Sequence, residues 1–384
     1  MPWVDEMRLD DSEALRALDS RDSLRSLASA GAQVRRAIVS AQEAGVASAA
    51  GGERPRSVLV AALGGSALVC DVLDLLAEPG SPVPVTTRRS APLPGWVGPL
   101  DLVIAVSQSG RAAGPLALAA EAARRGASLL TVGAADSPLA DVCARARGVH
   151  VDVALPTPSS RTALWSLLTP VLLAADALGL VDCPAPVLER VADVLDAVAE
   201  ECRPSSESFV NPAKVLALGL GATVPVVLGD GPLAGVAAKR AAAMLARTAR
   251  IPATHGALPD AASQVVACLD GPFGSGPDDG PGAFTDDLFA DPYLDGPPTQ
   301  RLGLLALRDP DQTPDAVALA DAVVASARES GISVFEQEAR SGAPIERLAS
   351  LVALTDFTAT YLALGLGLDP SVSRHVTELR DRTS

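Results

Sequence analysis

The chain has 384 residues, enough for two domains with separate cores, and at 48% hydrophobic and 20% charged it has the composition of a folded protein. Its 46 acidic residues against 31 basic give a net charge of −15, which argues against nucleic acid and anionic membrane as partners. The five cysteines, Cys70, Cys143, Cys183, Cys202 and Cys268, form no CxxC pair and are odd in number. Neither a zinc site nor a disulfide framework follows, and no metal or cofactor is expected.

The N-terminus, MPWVDEMRLDD, is acidic and lacks an apolar stretch, so no signal peptide is expected. Residues 11–46 predict a helix, with Leu15, Leu18, Leu24, Leu27, Val34 and Ile38 loosely on one face, and GGERPR ends it. An α/β run follows. Strands are predicted at 57–62, 83–87, 102–107, 128–132 and 149–153, and helices at 66–77, 112–125, 137–146 and 161–179. The run from Leu164 to Val181 holds Ser166, Thr169 and Asp176, so it reads as a buried core helix and not a membrane span. From about 187 come helices to 202 and at 211–219, a strand at 224–228 and a helix at 233–246. Residues 271–300, rich in Gly, Pro and Asp, read as a surface loop or insertion. The pattern resumes with strands at 302–307 and 332–336, helices at 313–329 and 343–365, and a short helix from about 370. The alternation implies an α/β fold of two doubly wound domains, each a mostly parallel sheet flanked by helices. The domain reading is a helical segment at 1–50, a first domain at 51–186 and a second at 187–384.

Two turns carry the functional signal. SVLVAALGGSALVCDVL and LDLVIAVSQSGRAAGPLALAAEAA are tandem strand–turn–helix units. Glycine lets backbone approach a ligand, and the free N–H groups of the following helix favour an anion. Gly64, Gly65, Ser66, Ser107, Ser109, Gly110 and Arg111 are therefore candidates for one phosphate cradle. Single Gly/Ser turns are common in βα units; the tandem pair is more specific. GDGPLAG at 229–235 has GxGxxxG spacing and reads as a tight turn, not a dinucleotide site. The acidic residues of 276–295 lack EF-hand spacing and read as a solvated loop.

These stretches resemble the SIS (sugar isomerase) domain, and more narrowly the bifunctional phosphoglucose/phosphomannose isomerase family, whose chains hold two such domains. The matching stretches are LGGSAL at 63–68, LPGWVGPLDLVIAVSQSG at 93–110, SRTALWSLLTPVL at 160–172, NPAKVLA at 211–217, PVVLGDG at 225–231, ARIPA at 249–253 and LDPSVSRHVTELR at 368–380. The resemblance implies a sugar phosphate ligand held by Ser66, Ser107 and Ser109. It implies an active-site arginine at Arg161, steadying enediolate charge, and a homodimer with its active site shared between subunits. The apolar helices at 161–179 and 343–365 are candidates for the subunit surface, and a cytoplasmic protein is the natural reading.

The departures from the family pattern bear on catalysis. The family's Ser-x-Ser-Gly-Asn-Thr turn is Ser107-Gln108-Ser109-Gly110-Arg111-Ala112 here. The catalytic glutamate position holds Arg247. The ring-opening histidine is missing from Ala261-Ala262-Ser263-Gln264, and the C-terminal lysine corresponds to Arg380. A guanidinium stays protonated and cannot accept a carbon-bound proton. His255 and Asp260 are the candidate substitutes, with His375 as a further candidate on the last helix, while His150 reads as structural. The expected function is phosphosugar binding on an isomerase scaffold with lost or altered activity. The alternative is an active isomerase converting glucose 6-phosphate or mannose 6-phosphate to fructose 6-phosphate. A third reading, a structural subunit without ligand, conflicts with the intact Gly/Ser turns.

Overall fold

The computed structural model describes residues 4–51, 53–153, 159, 161–274 and 301–383, with the side chains of Arg380, Asp381 and Thr383 outside that description. The chain divides into two compact units. One comprises residues 25–197 and 342–349, the other 1–24, 198–341 and 350–384.

A short helix α1 (Glu6–Asp10) precedes the predicted helix over 11–46, which is broken into α2 (Ser12–Leu18), α3 (Ser23–Ala28) and α4 (Ala30–Ala44). The breaks fall where short acidic side chains compete for backbone N–H groups. Asp11 accepts from Glu13 and Ala14, and Asp19 accepts from Ser23 and Leu24. Periodicity of the leucines could not reveal these stops, because the apolar stripe continues across them.

In the first unit, five strands alternate with helices: β1 (Val58–Ala62), α5 (Leu68–Ala77), β2 (Val85–Arg88), β3 (Leu102–Ser107), α6 (Ala113–Arg124), β4 (Ser128–Gly133), α7 (Pro138–Arg145), β5 (Val149–Asp152) and α8 (Leu164–Ala177). All are parallel, in the order β2-β1-β3-β4-β5. β1 and β3 are buried along their whole length, as expected for strands covered on both faces. Leu59, Ala61, Val103, Ala105 and Leu129 of the sheet pack against Leu118, Ala119 and Leu139 of the helices.

α9 (Ala185–Glu201) and α10 (Pro212–Gly221) lead to β6 (Thr223–Gly229), α11 (Pro232–Met244), β7 (Thr254–Ala257), α12 (Ala262–Leu269), β8 (Arg301–Arg308), α13 (Pro314–Glu329), β9 (Ser333–Glu338), α14 (Pro344–Gly365) and α15 (Arg374–Thr383). The second sheet is also parallel, in the order β7-β6-β8-β9. β7 and α12 carry no expectation above. Their sequence, THGALPDAASQVVACL, has too short an apolar run to signal a strand. Two parallel sheets flanked by helices, of the α/β class, are as expected. Most of the Gly/Pro/Asp-rich stretch, from 275 to 300, lies outside the described residues.

The two helices expected to face another subunit are core helices instead. Leu164 to Ala175 are all buried, and 94% of the most apolar window of Pro344–Gly365 is buried within the protein. Pro344–Gly365 is long and apolar enough to cross a membrane, but its apolar surface is covered by the chain itself. All five cysteines are free thiols, Cys268 exposed and the others buried.

Candidate functional site

β1 is followed by α5 and β2 on one side, and β3 with α6 lies on the other. Ala62 and Val106, near the ends of β1 and β3, are register partners. The strand order reverses between these two strands. Helices leading away from such a point diverge to opposite faces and leave a crevice at the carboxyl ends of the strands. The two Gly/Ser turns singled out in the sequence border that crevice.

The turn after β1 is a single 3₁₀ turn over Gly64–Ser66, with Gly64 left-handed at φ 65°. Ser66 is 3% exposed, and its hydroxyl makes no hydrogen bond among the described residues. The residue is nearly buried, but its Oγ keeps contact with solvent at the crevice and is open to a ligand group. In the turn after β3 the serines divide their work. Ser107 is buried, and its Oγ accepts the Ala112 N–H at 3.3 Å. Ser109 is exposed, and its Oγ accepts the Arg111 N–H at 3.3 Å. The N–H groups of Gly65, Ser66, Ser109, Ala113 and Gly114 carry no hydrogen bond among the described residues. Ala113 and Gly114 begin α6, so their N–H groups stand at the positive end of a three-turn helix.

The β4–α7 connection holds this turn from one side. The Ala134 N–H donates to the Gln108 carbonyl at 3.0 Å and the Leu139 N–H to the Gly110 carbonyl at 3.2 Å. Carbonyls that would repel an anion are thereby engaged elsewhere. Gly110 is left-handed at φ 62°, and a Cβ there would lie 2.1 Å from Ser137 Oγ, so only glycine fits.

Arg161 belongs to the same unit, three residues ahead of α8 and not on it. Its backbone N–H and Nε both donate to Ser159 Oγ, at 3.2 and 3.3 Å. α8 packs against the 64–66 turn as well as β3 and β4. Arg161 is half-buried.

The remaining candidates lie in the second unit. His255 is exposed on β7, the edge strand, beside Val227 of β6. Asp260 is exposed in the following turn. Arg247 is exposed on a π-helical turn, Leu245–Ala249, that ends α11. Arg380 lies on α15, where its side chain is outside the described residues. His375 is 92% exposed, 3.6 Å from Glu378. In the first unit, His150 is half-buried on β5, its Nδ1 2.7 Å from Thr131 Oγ1, and burial lowers its pKa. That contact is to the neighbouring strand, in keeping with a structural role.

The second sheet repeats the strand reversal between β6 and β8, but with opposite chemistry. Asp230, 3% exposed, follows β6, and both its oxygens accept the Asp309 N–H, at 3.0 and 3.1 Å. Burial pushes the Asp230 carboxyl up to about 6. A second carboxylate, Asp309, is buried beside it. This crevice is tied shut and acidic, the reverse of an anion site. The GDGPLAG turn at its mouth is a close-packed one: a Cβ on Gly229 would lie 2.2 Å from the backbone of Ala234 and Gly235.

Comparison with known proteins agrees with this architecture. Residues 209–383 match the bacterial phospho-glucose isomerase C-terminal SIS domain. A bifunctional phosphoglucose/phosphomannose isomerase from Caldicellulosiruptor bescii is 28% identical over 197 residues, which are 51% of this chain and 57% of that protein. The chain thus aligns with little more than half the length of that relative. Among solved structures, a candidate phosphosugar isomerase from Silicibacter pomeroyi superposes with a TM-score of 0.62 at 22% identity, covering 91% of this chain and 99% of that one. A hypothetical protein from Thermus thermophilus reaches 0.67 at 14% identity, covering 97% and 93%. The C-terminal domain of glucosamine-fructose-6-phosphate aminotransferase from Francisella tularensis reaches 0.61 at 12% identity, covering 91% and 98%. At these identities the likenesses speak to the fold.

Proposed function

We propose that this SIS-domain protein, similar to the phosphoglucose/phosphomannose isomerases, binds a sugar phosphate in the crevice between the 63–67 and 107–112 turns. The observation that carries the reading is Ser66, a nearly buried residue whose solvent-reaching hydroxyl makes no hydrogen bond among the described residues, on a turn where the Gly65 and Ser66 N–H groups are also unengaged. Ser109 and the first N–H groups of α6 supply further donors on the neighbouring turn. Charge-assisted hydrogen bonds of this kind are roughly twice as strong as neutral ones. The net charge of −15 repels an anion at long range, so binding depends on these local donors.

Catalysis is the second half of the proposal: isomerase activity is lost or altered. Proton transfer between C1 and C2 needs a base with a pKa near neutrality. Arg247, at the position where the family carries its glutamate, cannot serve. General-base catalysis typically contributes ~10² to 10⁴-fold, so its loss leaves little turnover. An active isomerase with His255 and Asp260 as base and acid is the alternative; both are exposed, away from the buried setting that tunes a catalytic pKa. The protein acts in the cytoplasm as a homodimer on this reading.

A thermal-shift screen of the whole chain with fructose 6-phosphate, glucose 6-phosphate and mannose 6-phosphate tests the binding reading. A ligand at a hundred times Kd stabilises by about 2.7 kcal/mol. No shift with any of the three at millimolar concentration overturns it.

A further inference from the structure

Arg88 ends β2, in register with Ala61 of β1, and Arg89 follows it. The Arg89 backbone runs against the start of α6: a Cβ on Gly114 would lie 2.0 Å from the Arg89 carbonyl oxygen. Arg111 lies two residues before that helix begins. Three arginines therefore stand at the carboxyl edge of the sheet, around the same helix N-terminus that borders the phosphate crevice. All three are exposed, and none makes an ion pair or side-chain hydrogen bond among the described residues. Some arginines of this acidic chain hold carboxylates, as Arg35, Arg56 and Arg240 do, and others, such as Arg16 and Arg36, make no side-chain contact of this kind among the described residues. What sets these three apart is their shared place at one helix N-terminus. The acidic residue on the adjoining β4–α7 connection is the exposed Asp136. A helix N-terminus disfavours cations, so the helix dipole does not account for three guanidinium groups gathered there.

We propose that Arg88, Arg89 and Arg111 form a second anion subsite beside the phosphate turn, so that the ligand is a sugar phosphate carrying a second negatively charged group. The inference rests on the phosphate reading of the crevice. The Ser66 hydroxyl, on a nearly buried residue yet open to the crevice and without a hydrogen bond among the described residues, is the independent sign that a ligand enters there. Planar guanidinium forks match both phosphate and carboxylate. A sugar bisphosphate and a phosphorylated sugar acid share this chemistry.

Titration calorimetry of the full chain at low salt, with fructose 6-phosphate, fructose 1,6-bisphosphate and 6-phosphogluconate, separates the cases. The net charge alone would make the more negative ligands bind more weakly. The subsite predicts the opposite, an advantage of about tenfold or more for one or both of them over fructose 6-phosphate. Whichever gains identifies the second group as phosphate or carboxylate. The Arg88→Ser/Arg89→Ser double variant should lose that advantage and keep its affinity for fructose 6-phosphate. Equal or weaker binding of both doubly charged ligands overturns the subsite and leaves the phosphate reading standing. Equal loss for all three ligands in the double variant assigns the arginines to the first phosphate and also overturns it. Absence of binding by any ligand removes both readings.

Discussion

Ser66 and Asp230 show how one buried polar residue can report a site or a lock. Ser66 has no partner to lose, so Ser66→Ala should leave stability within about 0.5 kcal/mol of wild type. Its affinity for fructose 6-phosphate should fall about tenfold, the size of one hydrogen bond to a charged group. Thermal melts beside calorimetry check both halves; a large loss of stability would mean the hydroxyl is structural. Asp230 is the reverse case, engaged by the Asp309 N–H and 3.5 Å from Arg308. Burial raises its carboxyl from 3.8 to about 6. Because the folded value is the higher one, its contribution is complete below about pH 4 and is lost as pH rises through about 6. A displacement of that size is worth about 3 kcal/mol. Urea midpoints at pH 4.5 and 6.5 should show Asp230→Asn losing less stability over this interval than wild type. Parallel behaviour of the two proteins would contradict the assignment.

Among the elements, the β3–α6 turn depends on a neighbour distant in sequence. The β4–α7 connection takes up the Gln108 and Gly110 carbonyls, and Ser137 leaves no room for a side chain at residue 110. Gly110→Ala adds about 1–2 kcal/mol of left-handed backbone strain and drives a methyl into Ser137. The turn must move, so the thermal shift with fructose 6-phosphate should vanish while the variant remains folded by circular dichroism. A retained shift would show that the turn geometry does not matter for binding. In the second unit, Lys214 instead holds backbone from the segment just before its own helix. Its fully buried ammonium donates to the Ser206 and Pro204 carbonyls at 2.6 and 3.0 Å and lies 5.5 Å from the Tyr361 ring centre. Burial lowers its pKa despite the nearby Asp10. It ties the segment before α10 to α14.

At the scale of the whole molecule the predictions concern turnover and assembly. Phosphoglucose and phosphomannose isomerase activity should be near background in the purified chain. Arg247→Glu alone should not restore it, because the ring-opening histidine is also missing. A kcat of order 10 s⁻¹, the median for enzymes, on either sugar phosphate would defeat this and make His255 and Asp260 the residues to replace next. Light scattering at micromolar concentration should show a dimer; a monomer would leave each site to be completed within one chain. The apolar helices that the sequence suggests for that interface are largely buried within the chain, so a dimer would have to use another surface.

The sequence by itself determined the alternation of strands and helices, because buried parallel strands read as unbroken runs of Val, Leu, Ile and Ala. It also located both Gly/Ser turns, since two of them in tandem strand–turn–helix units are more specific than one alone. It identified Arg247 as a residue unable to serve as base, a matter of side-chain chemistry alone. It did not reveal the breaks at Asp11 and Asp19, where local capping interrupts a continuous apolar stripe. Nor did it find β7, which is short and lies at a sheet edge. Nothing in the sequence singled out Arg88 and Arg89. Only the packing of the Arg89 backbone against Gly114 brings this pair to the helix that Arg111 precedes. The tertiary structure also decided which serine is which: Ser107 is buried with its Oγ taken up by the Ala112 N–H, Ser109 is exposed, and Ser66 is nearly buried with a hydroxyl that makes no hydrogen bond among the described residues. Spacing along a chain cannot distinguish these, because whether a buried hydroxyl is satisfied depends on groups that only folding brings beside it.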